Sequence, residues 1–330
     1  MSRRAALRDI PERALRSGLL TLSRRRVLGR VATRLPLARD MVGRFVAGET
    51  LDEALDAIER LRDRGFATTV DILGEAVDSI DAARAAADGY VEALDALAAR
   101  GLDRNVSLKL TQMGLAVDET ACRENVARIV ARAVELGGFV RIDMEDHTTV
   151  DRTLAVWRAV RPAHGVRGAD GGPPDVGVVI QSALRRSPAD VELLIAEGAR
   201  VRLCKGAYQE PSSVAHQDRA EVDGAYAALL GQLLRRGVFP AFATHDPALI
   251  REALEVAREN GIGPDGFEFQ MLYGIRRDLQ DRLRDAGYGV RVYVPFGRQW
   301  YPYFMRRLAE RPQNVAFLLR TVFREGRGEG

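Results

Sequence analysis

The sequence predicts a (β/α)8 TIM-like barrel, preceded by N-terminal helices, with the last helix over the barrel mouth. Three observations predict it. From residue 66 onward, short β-rich runs alternate with longer amphipathic runs, the pattern of parallel βαβ units. There are eight strand-like runs, at 67–73, 106–110, 139–144, 176–180, 200–203, 240–244, 267–271 and 290–294, and eight units close a barrel rather than extend an open sheet. Nearly every run also delivers a polar side chain toward its C-terminal end, which is where barrel enzymes carry their chemistry. The chain divides into an N-terminal helical segment, 1–64, and a barrel domain, 65–330.

Residues 1–50 carry twelve arginines against four acids, including Arg24-Arg25-Arg26. Such a run reads as a solvated helix face, with contact to anionic lipid as the second reading. Residues 51–61 place apolar side chains at helical spacing, and Thr50 with Glu53 forms a capping box. The first strand leads to Glu75, and a helix follows over 82–99. The second strand ends at Lys109 and precedes a helix over 119–135. The third carries Asp143 and precedes a helix over 148–160. Gly and Pro crowd 167–174, a loop before the fourth strand, which runs into Gln181. The fifth strand ends at Arg202 and Lys205, before a helical pattern over 214–236. The sixth ends at Thr244 and His245, before a helix over 247–260. Gln270 lies in the seventh strand and Tyr293 in the eighth. Residues 300–314, opening on an aromatic cluster, read as a short helix.

The chain has 330 residues, with 46% apolar and 29% charged, as in a soluble globular protein. A net charge of +3 excludes a strong nucleic-acid binder, and no nucleic-acid partner is expected. Two cysteines, Cys122 and Cys204, make neither a disulfide framework nor a zinc cluster. No stretch approaches the ~18 apolar residues of a membrane span. The Arg-rich start lacks the apolar region of a secretory signal. The expected location is cytoplasmic.

Of 49 Lys and Arg residues only Lys109 and Lys205 are lysine, and both end apolar runs. A lysine in so Arg-biased a chain marks a place where a compact point charge differs from a planar fork. Four chemistries compete. A Schiff-base aldolase would use Lys205 as nucleophile. A metal hydrolase would use Asp143, Glu145, Asp146 and His147, but the chain has four histidines and no H-x-H or H-E-x-x-H spacing, so no metal is expected. A cofactor enzyme lacks a G-x-G-x-x-G turn, yet Lys205-Gly206-Ala207 suits phosphate by ammonium and backbone N–H. A non-catalytic barrel leaves the polar strand ends unexplained. The paired arginines Arg306 and Arg307, after the aromatic cluster, suit a carboxylate at the mouth.

In order along the strands, several motifs together resemble the proline dehydrogenase family, flavin-dependent barrel enzymes of proline catabolism. They are Asp71-Ile-Leu-Gly-Glu75, Ser107-Leu-Lys109-Leu, Arg141-Ile-Asp143-Met-Glu145, Arg202-Leu-Cys-Lys205-Gly-Ala-Tyr208, Phe242-Ala-Thr244-His245, Phe267-Glu-Phe-Gln270-Met-Leu272 and Arg306-Arg307-Leu-Ala-Glu310. The resemblance covers roughly residues 40–320, of the monofunctional bacterial type. It implies oxidation of L-proline to Δ1-pyrroline-5-carboxylate with FAD, electrons passing to a membrane quinone. A pyrroline-5-carboxylate dehydrogenase is implied as pathway partner, and a peripheral position at the inner face of the membrane as location. Lys109, Arg306 and Arg307 would hold the substrate carboxylate. Arg202, Asp143 and Tyr293 would be catalytic, Arg202 beside the flavin and Asp143 orienting its neighbours. Tyr293, Tyr303, Leu272 and Tyr208 would wall the substrate ring, and Glu75 would pair with Arg306 as a lid. Met144, Gln181, Arg202, Lys205, Gly206, Ala207, Thr244 and His245 would contact FAD. Gln209 stands where some members carry an aromatic that stacks on adenine.

Overall fold

Eight parallel strands follow one another in chain order and close into a barrel. The structure, a computed structural model, describes residues 43–161 and 175–310, and the backbone alone for 306–310. The strands are β1 (Ala67–Ile72), β2 (Asn105–Leu108), β3 (Phe139–Ile142), β4 (Val176–Gln181), β5 (Arg200–Cys204), β6 (Ala241–Ala243), β7 (Glu268–Leu272) and β8 (Gly289–Phe296). The seam is the β1–β8 pair, in register from Ala67↔Arg291 to Ile72↔Phe296. All eight strands lie within or beside the runs expected from sequence, because β-branched and aromatic residues bounded by Gly and Pro specify them locally.

The helices are α1 (Leu51–Asp63), α2 (Ile80–Ala99), α3 (Glu119–Glu135), α4 (Val150–Val160), α5 (Ser187–Ala196), α6 (Arg219–Arg236), α7 (Pro247–Glu259), α8 (Arg277–Asp285) and α9 (Trp300–Glu310). Thr50 and Glu53 form the expected capping box of α1, each side chain accepting from the other's backbone N–H. Three helix starts differ from expectation. The helix expected from 82 begins at Ile80, because Ser79 caps it by accepting from Ala82 N. The stretch 148–160 opens with a 3-10 turn, His147–Thr149, because Asp146 accepts from Thr148 N. The stretch 214–236 becomes helical only at Arg219. Ala215 bridges Leu184, and the Asp218 carboxylate accepts from Ala220 N and Glu221 N, which makes 218 the cap. The loop expected over 167–174, the Arg24-Arg25-Arg26 run and residues 311–314 of the last helical stretch lie outside the described residues.

Strand side chains alternate between two environments. Val70, Val106, Val140, Val178, Phe242, Phe269 and Val292 are fully buried and belong to the large apolar core. Many of the residues between them are polar and meet one another inside the barrel, as Thr69–Ser107, Arg202–Ser107 and Gln270–Glu268 do.

A second apolar cluster seats α9. Trp300, Tyr303, Phe304 and Met305 pack with Phe45, Val46, Leu73 and Ile275. Leu73 follows β1 and Ile275 follows β7, so this seat lies at the C-terminal ends of the strands. Trp300 Nε1 donates to Glu49 Oε1 at 3.1 Å, Ala47 N to Pro295 O at 2.8 Å and Gly297 N to Gly48 O at 2.9 Å. Burying an aromatic or Met side chain stabilises by about 1.5–3 kcal/mol, so the seat fixes the helix that carries Arg306 and Arg307.

Candidate active site

Asp143, one residue past β3, is the hub of the barrel mouth. Its Oδ1 accepts from Arg202 Nη1 at 2.7 Å, and its Oδ2 accepts from Tyr293 Oη at 3.0 Å with Lys109 Nζ at 3.9 Å. Lys109 Nζ donates to Asp71 Oδ1 at 2.8 Å. Arg202 completes its fork with Ser107 Oγ at 2.8 Å and Gln270 Oε1, and its guanidinium carbon lies 5.4 Å from the centre of the Tyr293 ring. Three residues expected to be catalytic, and one expected to bind substrate, therefore sit in a single cluster. With donors on both oxygens, Asp143 is built to orient its neighbours.

The charge states follow from the surroundings. Burial disfavours the Lys109 ammonium, but Asp71 and then Asp143 outweigh it, and the amine is held above its ordinary value of 10.5. Burial, reinforced by Asp143, pushes the Tyr293 phenol well above its ordinary value, so it is a proton donor to Asp143. Two cations, Lys109 and Arg202, face two carboxylates, Asp71 and Asp143. The cluster is charge-balanced, so a bound anion calls for cations from elsewhere.

A second group lies at the ends of β4, β5 and β6. Gly206 has φ +107, and a Cβ there would come 2.7 Å from Gln181 Oε1. Only glycine fits that backbone, and both Gly206 and Ala207 are exposed at the mouth. Gln181 is buried and donates to Glu145 O at 2.6 Å and Met144 O at 3.4 Å, which ties the β3 and β4 ends together. Thr244 Oγ1 accepts from Asp246 N at 3.1 Å, and His245 Nε2 accepts from Leu272 N at 3.0 Å. That acceptor role places the imidazole proton on Nδ1. Lys205 Nζ pairs with Asp223 at 2.5 Å and Asp246 at 3.1 Å. An ammonium between two carboxylates is the opposite of the desolvated amine that an imine-forming lysine needs. Burial pushes the Cys204 thiol up to about 12, which leaves it a small packing group.

The candidate metal cluster separates into four partnerships. Asp143 faces Arg202, while Glu145 accepts from Thr111 N at 3.0 Å and Thr111 Oγ1 at 2.6 Å. Asp146 caps the 3-10 turn, and His147 pairs through Nδ1 with Glu210. Glu75 is exposed, and its expected partner Arg306 has its side chain outside the described residues, as has Arg307. Leu272 packs on the apolar seat, in which Tyr303 is buried. Tyr208 is exposed, which places it at the rim rather than in a packed wall.

Sequence reasoning gave no role to Asp71, Ser107 or Thr111. The signal for the first two was strand parity. Asp71 follows Thr69 by two, and Ser107 precedes Lys109 by two, so each shares the inward face of its strand.

The residues fit a flavin nucleotide at this mouth. Gly206 leaves the backbone open to close approach, Lys205 stands beside it with its ammonium shared between Asp223 and Asp246, and Arg202 presents a guanidinium fixed on three sides.

Comparison with known proteins agrees with the geometry. The family profile for proline dehydrogenase matches residues 54–320. The proline dehydrogenase of Deinococcus radiodurans is 43% identical over 288 residues, covering 86% of this chain and 91% of that one. Proline dehydrogenase 2 of Bacillus subtilis (strain 168) is 36% identical over 285 residues, covering 86% and 91%. Among solved structures, proline utilization A (PutA) of Bdellovibrio bacteriovorus superposes with a TM-score of 0.75 at 28% identity. The match covers 82% of this chain and 32% of that longer one.

Proposed function

Because the chain belongs to the proline dehydrogenase family, with residues 54–320 matching the family profile, we propose that it oxidises L-proline to Δ1-pyrroline-5-carboxylate at the barrel mouth. FAD, when bound, supplies the hydride acceptor. The observation that carries this reading is the Asp143 hub, which joins Lys109, Arg202 and Tyr293 from three different strands in one cluster.

The chain's own residues divide the work. Lys109 presents an ammonium whose charge is already offset by Asp71 and Asp143. The substrate carboxylate therefore takes its main counter-charge from Arg306 and Arg307 on α9, with Lys109 fixing its direction. Tyr293, Tyr303 and Leu272 wall the ring, and Glu75 closes over it by pairing with Arg306. Arg202 aims a fixed positive charge at the place where negative charge grows during oxidation, and Asp143 holds it there. Met144, Gln181, Arg202, Lys205, Gly206, Ala207, Thr244 and His245 hold the cofactor. Lys205 and the backbone at Gly206 serve its phosphates.

Electrons pass on to a membrane quinone, and the chain acts at the inner face of the membrane. Among the described residues no helix is long and apolar enough to cross one, and the proposed contact is the basic stretch within residues 1–50. The product is the substrate class of a pyrroline-5-carboxylate dehydrogenase, the expected partner. The test is direct. The purified chain shows flavin absorbance, and anaerobic L-proline bleaches it. A protein that folds, accepts no FAD and leaves added flavin oxidised in the presence of proline overturns the reading.

A further inference from the structure

The polar chain that begins at the mouth does not stop there. Arg202 Nε donates to Gln270 Oε1, Gln270 Nε2 donates to Glu268 Oε1, and both Glu268 oxygens accept from Arg291 Nε at 3.1 Å. Arg291 is held in turn by Thr68 O at 2.7 Å and by Asp103. Glu268, Gln270 and Arg202 are each at most 5% exposed. The chain runs from the mouth down the barrel interior, and it uses only alternate residues of β5, β7 and β8.

Within this chain the Gln270 amide is the one member whose direction is undecided by its own chemistry. A carboxamide turned one way accepts, and turned the other way donates. A guanidinium has no acceptor, so only the oxygen suits Arg202. Glu268, ionised, is an acceptor only and claims the amide nitrogen. Arg291 keeps the Glu268 carboxyl below its ordinary value against the effect of burial. Two neighbours with opposite demands fix one orientation.

We infer that Gln270, locked by Glu268, is a positioning residue that sets the direction of the Arg202 guanidinium toward the reaction centre. Arg202 has two other partners, Asp143 and Ser107, and both lie toward other strands. Without the third, the Nε edge is unheld, and only the Nη1 and Nη2 contacts to Asp143 and Ser107 resist a tilt of the guanidinium. The cost falls on the reaction step rather than on proline binding, because Gln270 acts through Arg202, which is not among the proposed carboxylate ligands. This inference rests on the reading that Arg202 faces the flavin.

The test compares Gln270→Met with the swap Gln270→Glu, Glu268→Gln in the full-length, flavin-loaded protein. Met fills the same volume without an amide, whereas the swap keeps an acceptor for Arg202 at 270, a donor to that acceptor at 268 and the same net charge. If Gln270 only fills space, Met is tolerated. Positioning predicts that Gln270→Met lowers kcat about tenfold to a hundredfold while KM for proline moves less than about threefold, and that the swap keeps kcat within about fivefold. The flavin midpoint potential of Gln270→Met moves negative, since the guanidinium no longer holds its direction toward the reduced state. Wild-type kcat and potential in Gln270→Met, or an equal loss in the swap, overturn the inference. Should Gln270→Met fail to fold, Gln270→Leu is read by the same two measurements, and unchanged values overturn it. A wild-type chain that proline cannot reduce would overturn instead the functional reading beneath it.

Discussion

Replacing Lys109 by methionine removes the cation that faces Asp71 and leaves a side chain of similar length. The Asp71 side chain is 1% exposed, with Lys109 Nζ 2.8 Å from Oδ1. Its other oxygen has no hydrogen-bond partner. Among the described residues no other cation pairs with it, and the neighbouring Asp143 is also an acid. Removing one partner of a buried ion pair costs about 3–5 kcal/mol, and the partial exposure of Lys109 places the expected loss near 3. For a unit of this size that is a fall in Tm of about 6 °C. Asp71→Asn alone also destabilises, because Lys109 then faces a neutral amide and its one carboxylate contact is Asp143 at 3.9 Å. The double variant Lys109→Met with Asp71→Asn removes both charges and recovers about 2 kcal/mol relative to the sum of the singles. Urea unfolding of the four proteins measures this coupling. A coupling below about 0.5 kcal/mol would refute the claim that Asp71 fixes Lys109, and with it the argument that the mouth is charge-balanced before substrate arrives.

Gly206→Ala places a Cβ 2.7 Å from Gln181 Oε1 at a φ of +107, so the purified variant is expected to hold less flavin per chain, at a cost of about 1–3 kcal/mol. The absorbance ratio of flavin to protein reads this, and a wild-type ratio counts against a backbone cradle. Burial pushes the Cys122 and Cys204 thiols up to about 12, so native protein at pH 8 is expected to resist iodoacetamide at both, while unfolded protein reacts. Mass spectrometry decides it. Burial raises the Glu145 carboxyl above its ordinary 4.5 despite the bonds from Thr111. A raised carboxyl binds its proton more tightly folded than unfolded, so its contribution is largest at low pH and is lost as pH rises through the folded value. Relative to Glu145→Gln, wild-type unfolding free energy should therefore fall as pH climbs above 4.5, and a rising difference would be the wrong sign.

The strands were legible because their β-branched and aromatic runs state a local preference that the barrel obeys. The α1 cap was legible for the same reason, since Thr50 and Glu53 need nothing beyond their own turn. The start of α6 was not, because the helical pattern of 214–218 gives way to a bridge from Ala215 to Leu184, thirty-one residues away. At the site, the lysines and the Asp143 motif stood out by scarcity and by position. Their pairing did not. That Lys109 meets Asp71 and that Arg202 meets Gln270 depends on residues 38 and 68 apart in the chain facing one barrel interior. Parity could have nominated them, since 107/109, 141/143, 200/202, 268/270 and 291/293 are all spaced by two and all polar, save the ring of Tyr293. Such spacing in a strand core is the mark of a barrel whose interior is a hydrogen-bonded solid rather than a hydrocarbon one.

The seat of α9 has a bearing on how this protein could be cut and rejoined. Phe45, Val46 and Glu49 precede the first helix of the barrel, while Trp300 and Phe304 follow its last strand, yet they form one small unit. The two flanks of the barrel are clasped to each other. A chain begun at Leu51 would retain all eight strands and every member of the Asp143 hub. It would lose the ledge on which its arginine-bearing helix rests. Truncation there would thus separate folding from function, and a linker joining residue 310 to residue 43 would be a natural starting point for a permuted barrel with new ends elsewhere.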